Sequence, residues 1–161
     1  MNRIRIPVVK SSDIEGGITT VVGVITADTL VKRYYVPERN HIKKTGYQRG
    51  ASSIRVNSLA AELSKGKVDL PTAVLLSIRK PDADDILLDE NGGYYLDLGE
   101  DNKDTRLHVV DGQHRIKALE RAMEKGAKIR NYKIPFVCMM GATEDEEMKQ
   151  FLHQTAIFYP F

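Results

Sequence analysis

The second half of the chain alternates between segments with strand character and segments with helix character. The run from Arg106 to Val110 predicts one strand, and Lys133 to Met140 predicts another. Between them lies an apolar stripe with the three- and four-residue spacing of a helix face, made of Ile116, Leu119, Ala122 and Met123. Gly126 is a typical end for that helix. We therefore predict a fold of α/β or α+β class, in which helices pack on a small mixed sheet.

The rest of the chain supplies further predicted elements. Strands are predicted at Arg3 to Val9, Ile18 to Thr26, Leu70 to Ile78, Ile86 to Leu88 and Tyr94 to Leu98. The turn Asn91-Gly92-Gly93 joins the last two as a hairpin. Helices are predicted at Ala27 to Tyr34, from Ser52 or Ser53 to Gly66, and after the capping box Thr143 to Glu146. The last helix is expected to turn one face inward, made of Met148, Phe151, Leu152 and Thr155.

Three further segments are predicted to be irregular or solvated. Val36 to Gly50 is polar and has no clear period, which predicts a loop. Asp101 to Asp104 is predicted to be a solvated turn. The acidic group Asp82, Asp84 and Asp85 follows Pro81, which predicts a solvated loop better than a metal site.

Chain length and hydropathy limit the class of protein. At 161 residues the chain has the length of one domain, predicted to span residues 1–161. No apolar stretch reaches the roughly 18 residues that cross a bilayer, and the first ten residues lack the apolar run of a signal peptide. We therefore expect a cytoplasmic protein with no membrane partner. The apolar end Tyr159-Pro160-Phe161, soon after the last predicted helix, indicates a domain truncated at its C-terminus.

Cysteine and histidine usage argues against a metal-stabilised fold. The single cysteine, Cys138, excludes an internal disulfide, and its apolar surroundings predict a buried, unreactive thiol. The four histidines have no metal-ligand spacing. We expect neither structural zinc nor heme.

Charge is unevenly distributed although the formal net charge is only +2. Residues 32–55 hold one acid, Glu38, against seven basic residues, which are Lys32, Arg33, Arg39, Lys43, Lys44, Arg49 and Arg55. Residues 82–104 are strongly acidic. The basic segment is compatible with contacts to phosphate groups, and it is equally compatible with a solvated loop.

The segment Asp111-Gly112-Gln113-His114-Arg115 is where a predicted strand turns into a predicted helix. The start of a helix presents unpaired N–H groups and a partial positive charge. Glycine has no side chain to keep an anion from the backbone, and arginine can bind a phosphate through two hydrogen bonds. Asp111 could cap the helix or hold a magnesium ion beside a phosphate. The alternative is that this segment is only an exposed helix start.

The same segment carries a family resemblance. Asp111 to Arg115, followed by Ile116-Lys117-Ala118-Leu119, closely resembles the signature of DGQHR-domain proteins, which include the DndB family associated with DNA phosphorothioate modification. It is similar, more distantly, to the ParB/sulfiredoxin superfamily. Gly46 to Arg49, with Arg55 on the next helix, resembles the early "QR" element of that family. The likeness extends over most of the chain.

The resemblance implies a ParB/sulfiredoxin-like fold that handles phosphate. Arg115 and the backbone amides of Gly112 to His114 would hold the phosphate, and Arg49 and Arg55 would approach phosphate or DNA from the other side. Three residues are candidate catalytic groups: Asp111 as a cap or metal ligand, with Gln113 and His114 touching a nucleotide or positioning water.

Two functions follow from this resemblance. The first is a nucleotide- or DNA-binding protein of DNA modification or defence, with nucleoside triphosphate and Mg²⁺ as cofactors, NTPase activity, and DNA-modification proteins as partners. The second is a DNA-binding transcriptional regulator without catalysis. Sulfiredoxins have a cysteine where this loop has Gln113, which argues against a sulfinic-acid reductase. His108, on the preceding strand, is predicted to be a neighbour of the site.

Overall fold

The computed structural model describes residues 3–12, 15, 17–67, 69–80, 82–100 and 105–157, with the backbone alone for residues 154–157. The strands are Arg3–Ser12 (β1), Thr19–Thr26 (β2), Tyr34–Tyr35 (β3), Val74–Ile78 (β4), Leu87–Glu90 (β5), Gly93–Glu100 (β6), Leu107–Asp111 (β7) and Lys133–Met140 (β8). The helices are Ala27–Arg33 (α1), Ser53–Ser64 (α2), Asp82–Ile86 (α3), Gln113–Glu124 (α4) and Glu144–Ile157 (α5).

One mixed sheet organises these elements. Its strands follow the order β3-β7-β4-β8-β2-β1-β6-β5. The β3–β7 and β4–β8 pairs are parallel and the other pairs are antiparallel. The predicted α/β class with a mixed sheet is confirmed, although the sheet is larger than the small one expected.

The two faces of the sheet are covered differently. On one face α1, α2 and α4 bury the main core, in which Leu30, Ala60, Leu119 and Phe136 are fully or almost fully buried. On the other face α5 packs over a smaller cluster that includes Val110 and Met139, with Phe151 against it. Since α4 follows β7 directly, the chain crosses from the sheet to the main helical layer at residues 111–113.

Local chemistry accounts for several element boundaries. Thr143 and Glu146 form the predicted capping box: Glu146 Oε1 accepts from the Thr143 amide at 3.1 Å, and Thr143 Oγ1 accepts from the Glu146 amide at 3.2 Å. Ser52 caps α2 by accepting from the Arg55 amide at 3.4 Å. Cys138 is fully buried, and burial raises the pKa of its thiol to about 12, as expected for an unreactive core residue.

Some boundary and burial predictions are wrong. Asp82, Asp84 and Asp85 are exposed, as predicted, but they lie in the short helix α3 and not in a loop, and acids in the first turn suit the helix dipole. The expected inner face of α5 is only partly correct: Phe151 packs against the smaller cluster, but Met148 is 37% and Leu152 55% exposed, whereas Glu147 is fully buried. The side chain of Thr155 lies outside the described residues. Hydrogen-bond partners outside α5 hold Glu147 in the core and outweigh the apolar spacing in deciding which side of the helix faces inward. The predicted turn at Asp101 to Asp104 lies outside the described residues.

Candidate functional site

The loop between β7 and α4 is fixed by a glycine that no other residue could replace without strain. Gly112 has φ 109° and ψ 15°, in the left-handed region. A β-carbon at this position would lie 2.6 Å from Val74 Cγ1 and 3.1 Å from Arg115 Nη2. The backbone therefore turns within one residue from the sheet into the helix, as the motif predicts.

The first turns of α2 and α4 are tied together by two hydrogen bonds. The amide of Ser52 donates to Nε2 of His114 at 3.2 Å. The Gln113 side-chain amide donates from Nε2 to the carbonyl of Arg49 at 2.9 Å. Two helices of twelve residues each thus begin beside one another. The partial positive charges of the two helix N-termini therefore lie side by side.

Asp111 does not cap α4, contrary to one of the two roles predicted for it. The left-handed Gly112 occupies the N-cap position, and no side-chain hydrogen bond caps the helix there. Asp111 still belongs to β7, where it pairs with Leu75 of β4. Its half-exposed carboxylate lies 3.6 Å from Nη2 of Arg115 instead. No side-chain cap therefore satisfies the amides of the first turn of α4, which have no partner within the helix.

Arg115 lies on the β4 side of α4. Its Nη1 donates to the carbonyl of Thr72 at 2.6 Å, and its side chain is 19% exposed. Arg49 and Arg55, on the α2 side, are exposed, and neither forms an ion pair with another described residue. Arg49 is joined to the motif through its carbonyl, which accepts from Gln113, and the charge of Arg55 is near enough to His114 to lower its pKa.

Gln113 and His114 occupy the seam between the two helices. Gln113 is 9% exposed, and its Oε1 has no hydrogen-bond partner among the described residues. Burial, followed by the nearby charges of Arg55 and Lys117, lowers the pKa of His114. A neutral imidazole is what the Ser52 contact requires, because Nε2 accepts a hydrogen bond there. Both side chains therefore join the helices, whatever chemistry they also perform.

The sequence reasoning missed Ser52 as part of this site. Ser52 was recognised only as a possible helix cap, because it lies 62 residues from His114 in the chain. Its amide, together with the Arg49 carbonyl, completes the seam from the α2 side. The one local signal was an N-cap serine three residues after Arg49.

His108 is not a neighbour of this seam. It pairs with Ser77 on the face of the sheet covered by α5, and its Nδ1 is buried without a hydrogen-bond partner among the described residues. Burial, then the charge of Arg79, lowers the pKa of His108. Within the described part of the chain, no three His, Cys, Asp or Glu side chains cluster as a metal site. The same residues include no helix of the length and apolarity needed to cross a membrane.

Comparison with known proteins identifies the family. Residues 8–156 match the DndB family, described as DNA-sulfur modification-associated. The chain belongs to the DndB family. This DndB-family assignment confirms the resemblance predicted from Asp111 to Arg115 and links the chain to DNA modification. No curated protein matches the sequence of this family member.

One solved structure resembles the DndB-family fold described here. It is the C-terminally truncated chromosome-partitioning protein ParB from Caulobacter crescentus, complexed with CTP-gamma-S. The two share 9% sequence identity with a TM-score of 0.48. The likeness covers 87% of this chain and 55% of the ParB chain.

Proposed function

We propose that this DndB-family chain binds the phosphate groups of a nucleotide or of DNA at the joined N-termini of α2 and α4. The observation that carries the proposal is the pair of hydrogen bonds from Ser52 to His114 and from Gln113 to Arg49. They hold two helix starts side by side, and each contributes about half a positive charge. Uncapped amides of α4 and the exposed Arg49 and Arg55 add donors.

Phosphate suits this arrangement better than a carboxylate does. It has several oxygens and up to two negative charges, so backbone amides and guanidinium groups can bind it together. The neutral state of His114 avoids a further buried charge when the site is empty. These features favour a built anion site over a plain exposed helix start.

Nucleotide hydrolysis is the finer form of this proposal. Gln113 and His114 would position water or the nucleotide, and DNA-modification proteins would be the partners. Asp111 could hold Mg²⁺ only with phosphate or water oxygens as the other ligands, because the described residues offer no further carboxylate or histidine cluster. That is the usual way in which Mg²⁺ binds at nucleotide sites.

Removing Arg49 should weaken anion binding without unfolding the protein. We expect Arg49→Ala to raise the Kd for tripolyphosphate roughly 10- to 100-fold, the usual size of a lost charge-assisted hydrogen bond. The matched control is Arg121→Ala in the last turn of α4, which also removes an exposed cation from this helix pair. Thermal melting with tripolyphosphate and a nucleoside triphosphate panel, with and without Mg²⁺, measures both.

Thermal melting tests the anion site, and a phosphate-release assay then decides between the two forms of the proposal. If neither tripolyphosphate nor any nucleotide raises the melting temperature, or if both variants weaken binding equally, the joined helix starts are not the anion site. Release of phosphate from a nucleotide by the wild type, lost in His114→Ala, would support hydrolysis. Binding without release would leave a non-catalytic protein.

A second candidate function, DNA binding without catalysis, is favoured by the loop at residues 39–45, here named the basic loop. The loop is ordered: the Asn40 amide donates to the Thr45 carbonyl at 2.7 Å, and Asn40 Oδ1 accepts from the Ile42 and Lys43 amides, each at 3.0 Å. Its basic side chains Arg39, Lys43 and Lys44 are exposed, and so is His41. At its tip Ile42 is 94% exposed.

An ordered loop with basic flanks and an apolar tip fits a nucleic-acid groove. The cations would contact backbone phosphates, and an exposed aliphatic side chain is the kind of group that DNA-binding proteins insert into a groove. The basic loop leads directly into Arg49 and Ser52. DNA lying on the basic loop would therefore pass close to the joined helix starts.

Removing both lysines of the basic loop should weaken DNA binding in a salt-dependent way. We expect Lys43→Ala/Lys44→Ala to reduce the slope of log K against log salt by roughly 1.8, because each lost phosphate contact contributes about 0.9. Tripolyphosphate binding should not change. Fluorescence anisotropy with duplex DNA measures the slope, and Lys125→Ala/Lys128→Ala, two exposed lysines beyond the far end of α4, is the control. An unchanged slope in the first variant would exclude the loop as the DNA contact.

A further inference from the structure

A cleft of about 470 Å³ opens on the α5 side of the sheet, next to the motif but distinct from the joined helix starts. Its apolar lining comes from the sheet and the chain leading into it, chiefly Ile18, Leu75, Val137 and Met139. Its polar lining residues are Ser12, Thr20, Asp111 and Gln150. A volume of this size is within the range of small-molecule sites.

The lining chemistry selects the kind of ligand. Aliphatic side chains and the thioether of Met139 favour a flat, uncharged body, because such a body buries apolar area without losing a charge's hydration. Asp111 is half exposed, so its carboxylate oxygens have room to accept further hydrogen bonds beside the ion pair with Arg115 at 3.6 Å. The carboxylate therefore favours a ligand with N–H donors on its edge.

The position of the cleft connects it to the proposed phosphate site. Asp111 lines the cleft and immediately precedes Gly112, which begins α4. Ala73 also lines the cleft, and the neighbouring Thr72 carbonyl holds the guanidinium of Arg115. One molecule could therefore place an uncharged ring in the cleft and an anionic group beside Arg115 and the helix start.

We infer that the cleft binds the base and sugar of a nucleotide, and that Asp111 accepts a hydrogen bond from an amino group on the base. The inference rests on the proposed phosphate site and deepens it by naming the class of nucleotide. Bases with an exocyclic amino group, in CTP, ATP and GTP, should bind better than the base of UTP. The oxygens that flank the N–H of uracil would repel the carboxylate, which makes UTP the discriminating ligand.

The first test blocks the cleft without touching the helix starts. Val137 is half-buried in the cleft, so Val137→Trp should fill it and weaken CTP, ATP and GTP binding at least roughly tenfold. The Kd for tripolyphosphate should stay within about twofold of the wild-type value. The control is Val24→Trp on β2, where the valine is 51% exposed and does not line the cleft. Isothermal titration with each compound measures the binding.

A second variant covers the case in which Val137→Trp does not fold. Asp111→Asn keeps size and shape, and it should remove the preference for amino-bearing bases over UTP while tripolyphosphate still binds. If Asp111→Asn instead weakens all nucleotides and tripolyphosphate alike, and only when Mg²⁺ is present, Asp111 is a metal ligand and the inference is overturned.

The two proposals fail in different ways. Tripolyphosphate binding together with equal affinity for UTP and the amino-bearing nucleotides would overturn the cleft and leave the phosphate site standing. Unchanged nucleotide binding in a folded Val137→Trp variant would do the same. If neither tripolyphosphate nor any nucleotide binds, the phosphate site itself is wrong, and the cleft inference falls with it.

Discussion

Replacing Glu147 with alanine is expected to lower the free energy of unfolding by roughly 3–5 kcal/mol, the cost of breaking a buried ion pair from one side. Glu147, in the first turn of α5, is fully buried, and its two oxygens accept several hydrogen bonds. Arg79 donates from Nε at 2.7 Å and from Nη2 at 2.9 Å, and Ser77 donates at 2.9 Å. Tyr47 donates from its hydroxyl at 3.1 Å. Alanine would leave all these donors without an acceptor.

The carboxylate remains charged because its partners outweigh its burial. Burial alone would raise the pKa of Glu147, but hydrogen bonds from Arg79 and Ser77 and the charge of Arg79 hold that pKa below its ordinary value. A group with a lowered folded-state pKa stabilises the fold above its unfolded pKa, and that stability is lost as pH falls through the folded pKa. The acid loss of stability should therefore include a contribution from Glu147.

Chemical denaturation of the wild type and of three variants tests the prediction. The control is Asp145→Ala, which removes an exposed acid from the same first turn and should cost only about 0.3–1 kcal/mol. Glu147→Gln keeps the shape but not the charge, so its unfolding free energy should lose the pH dependence that the carboxylate contributes below about pH 4.5. A cost for Glu147→Ala no larger than that of Asp145→Ala would show that the cluster contributes little to stability.

The site could be predicted from sequence where the signal is local. Strand, glycine turn and helix start are neighbours in the chain, so Val110, Gly112 and Ile116 are enough to predict where α4 begins. The motif at Asp111 to Arg115 was also specific enough to predict the DndB family. The capping box at Thr143 was predicted for the same reason, since both of its hydrogen bonds join residues three apart.

The sequence could not predict contacts that the tertiary fold decides. Apolar spacing in α5 placed Met148 inside, but Arg79, 68 residues away, draws Glu147 into the core instead. Likewise, nothing near His114 in the chain indicates that its acceptor nitrogen binds the Ser52 amide. The expected cap from Asp111 failed for a backbone reason, because the left-handed Gly112 takes the N-cap position itself.

Substituting Gly46 with alanine is expected to destabilise the protein by roughly 3–5 kcal/mol, because strain and overlap add at this position. Gly46 has φ +77°, which costs an alanine about 1–2 kcal/mol by itself. Its β-carbon would also overlap the carbonyl of Glu38, and it would lie 2.9 Å from the Pro37 oxygen. Both are backbone atoms and cannot rotate away. The segment around residue 46 would have to move.

That movement should reach the proposed phosphate site, which makes the variant informative about function. The Gly46 amide donates to Glu144 Oε1 at 2.7 Å, and the Gln48 side-chain amide donates to the carbonyls of Val109 and Val110. These contacts fix the chain just before Arg49, whose carbonyl binds Gln113. We therefore expect Gly46→Ala to weaken tripolyphosphate binding as well as stability.

A second glycine, Gly66, serves as a control that separates the cost of backbone strain at positive φ from the cost of β-carbon overlap. Gly66 has a similar φ of +65°, but a β-carbon there would meet no atom within 4 Å, so Gly66→Ala should cost only the strain. Hydrogen exchange of residues 37–49, compared in the two variants, should show faster exchange in Gly46→Ala alone. Equal losses of stability and equal hydrogen exchange in the two variants would mean that the close approach to Glu38 does not hold this segment. The hydrogen bonds of Gln48 and Gln113 would then position Arg49 without help from Gly46.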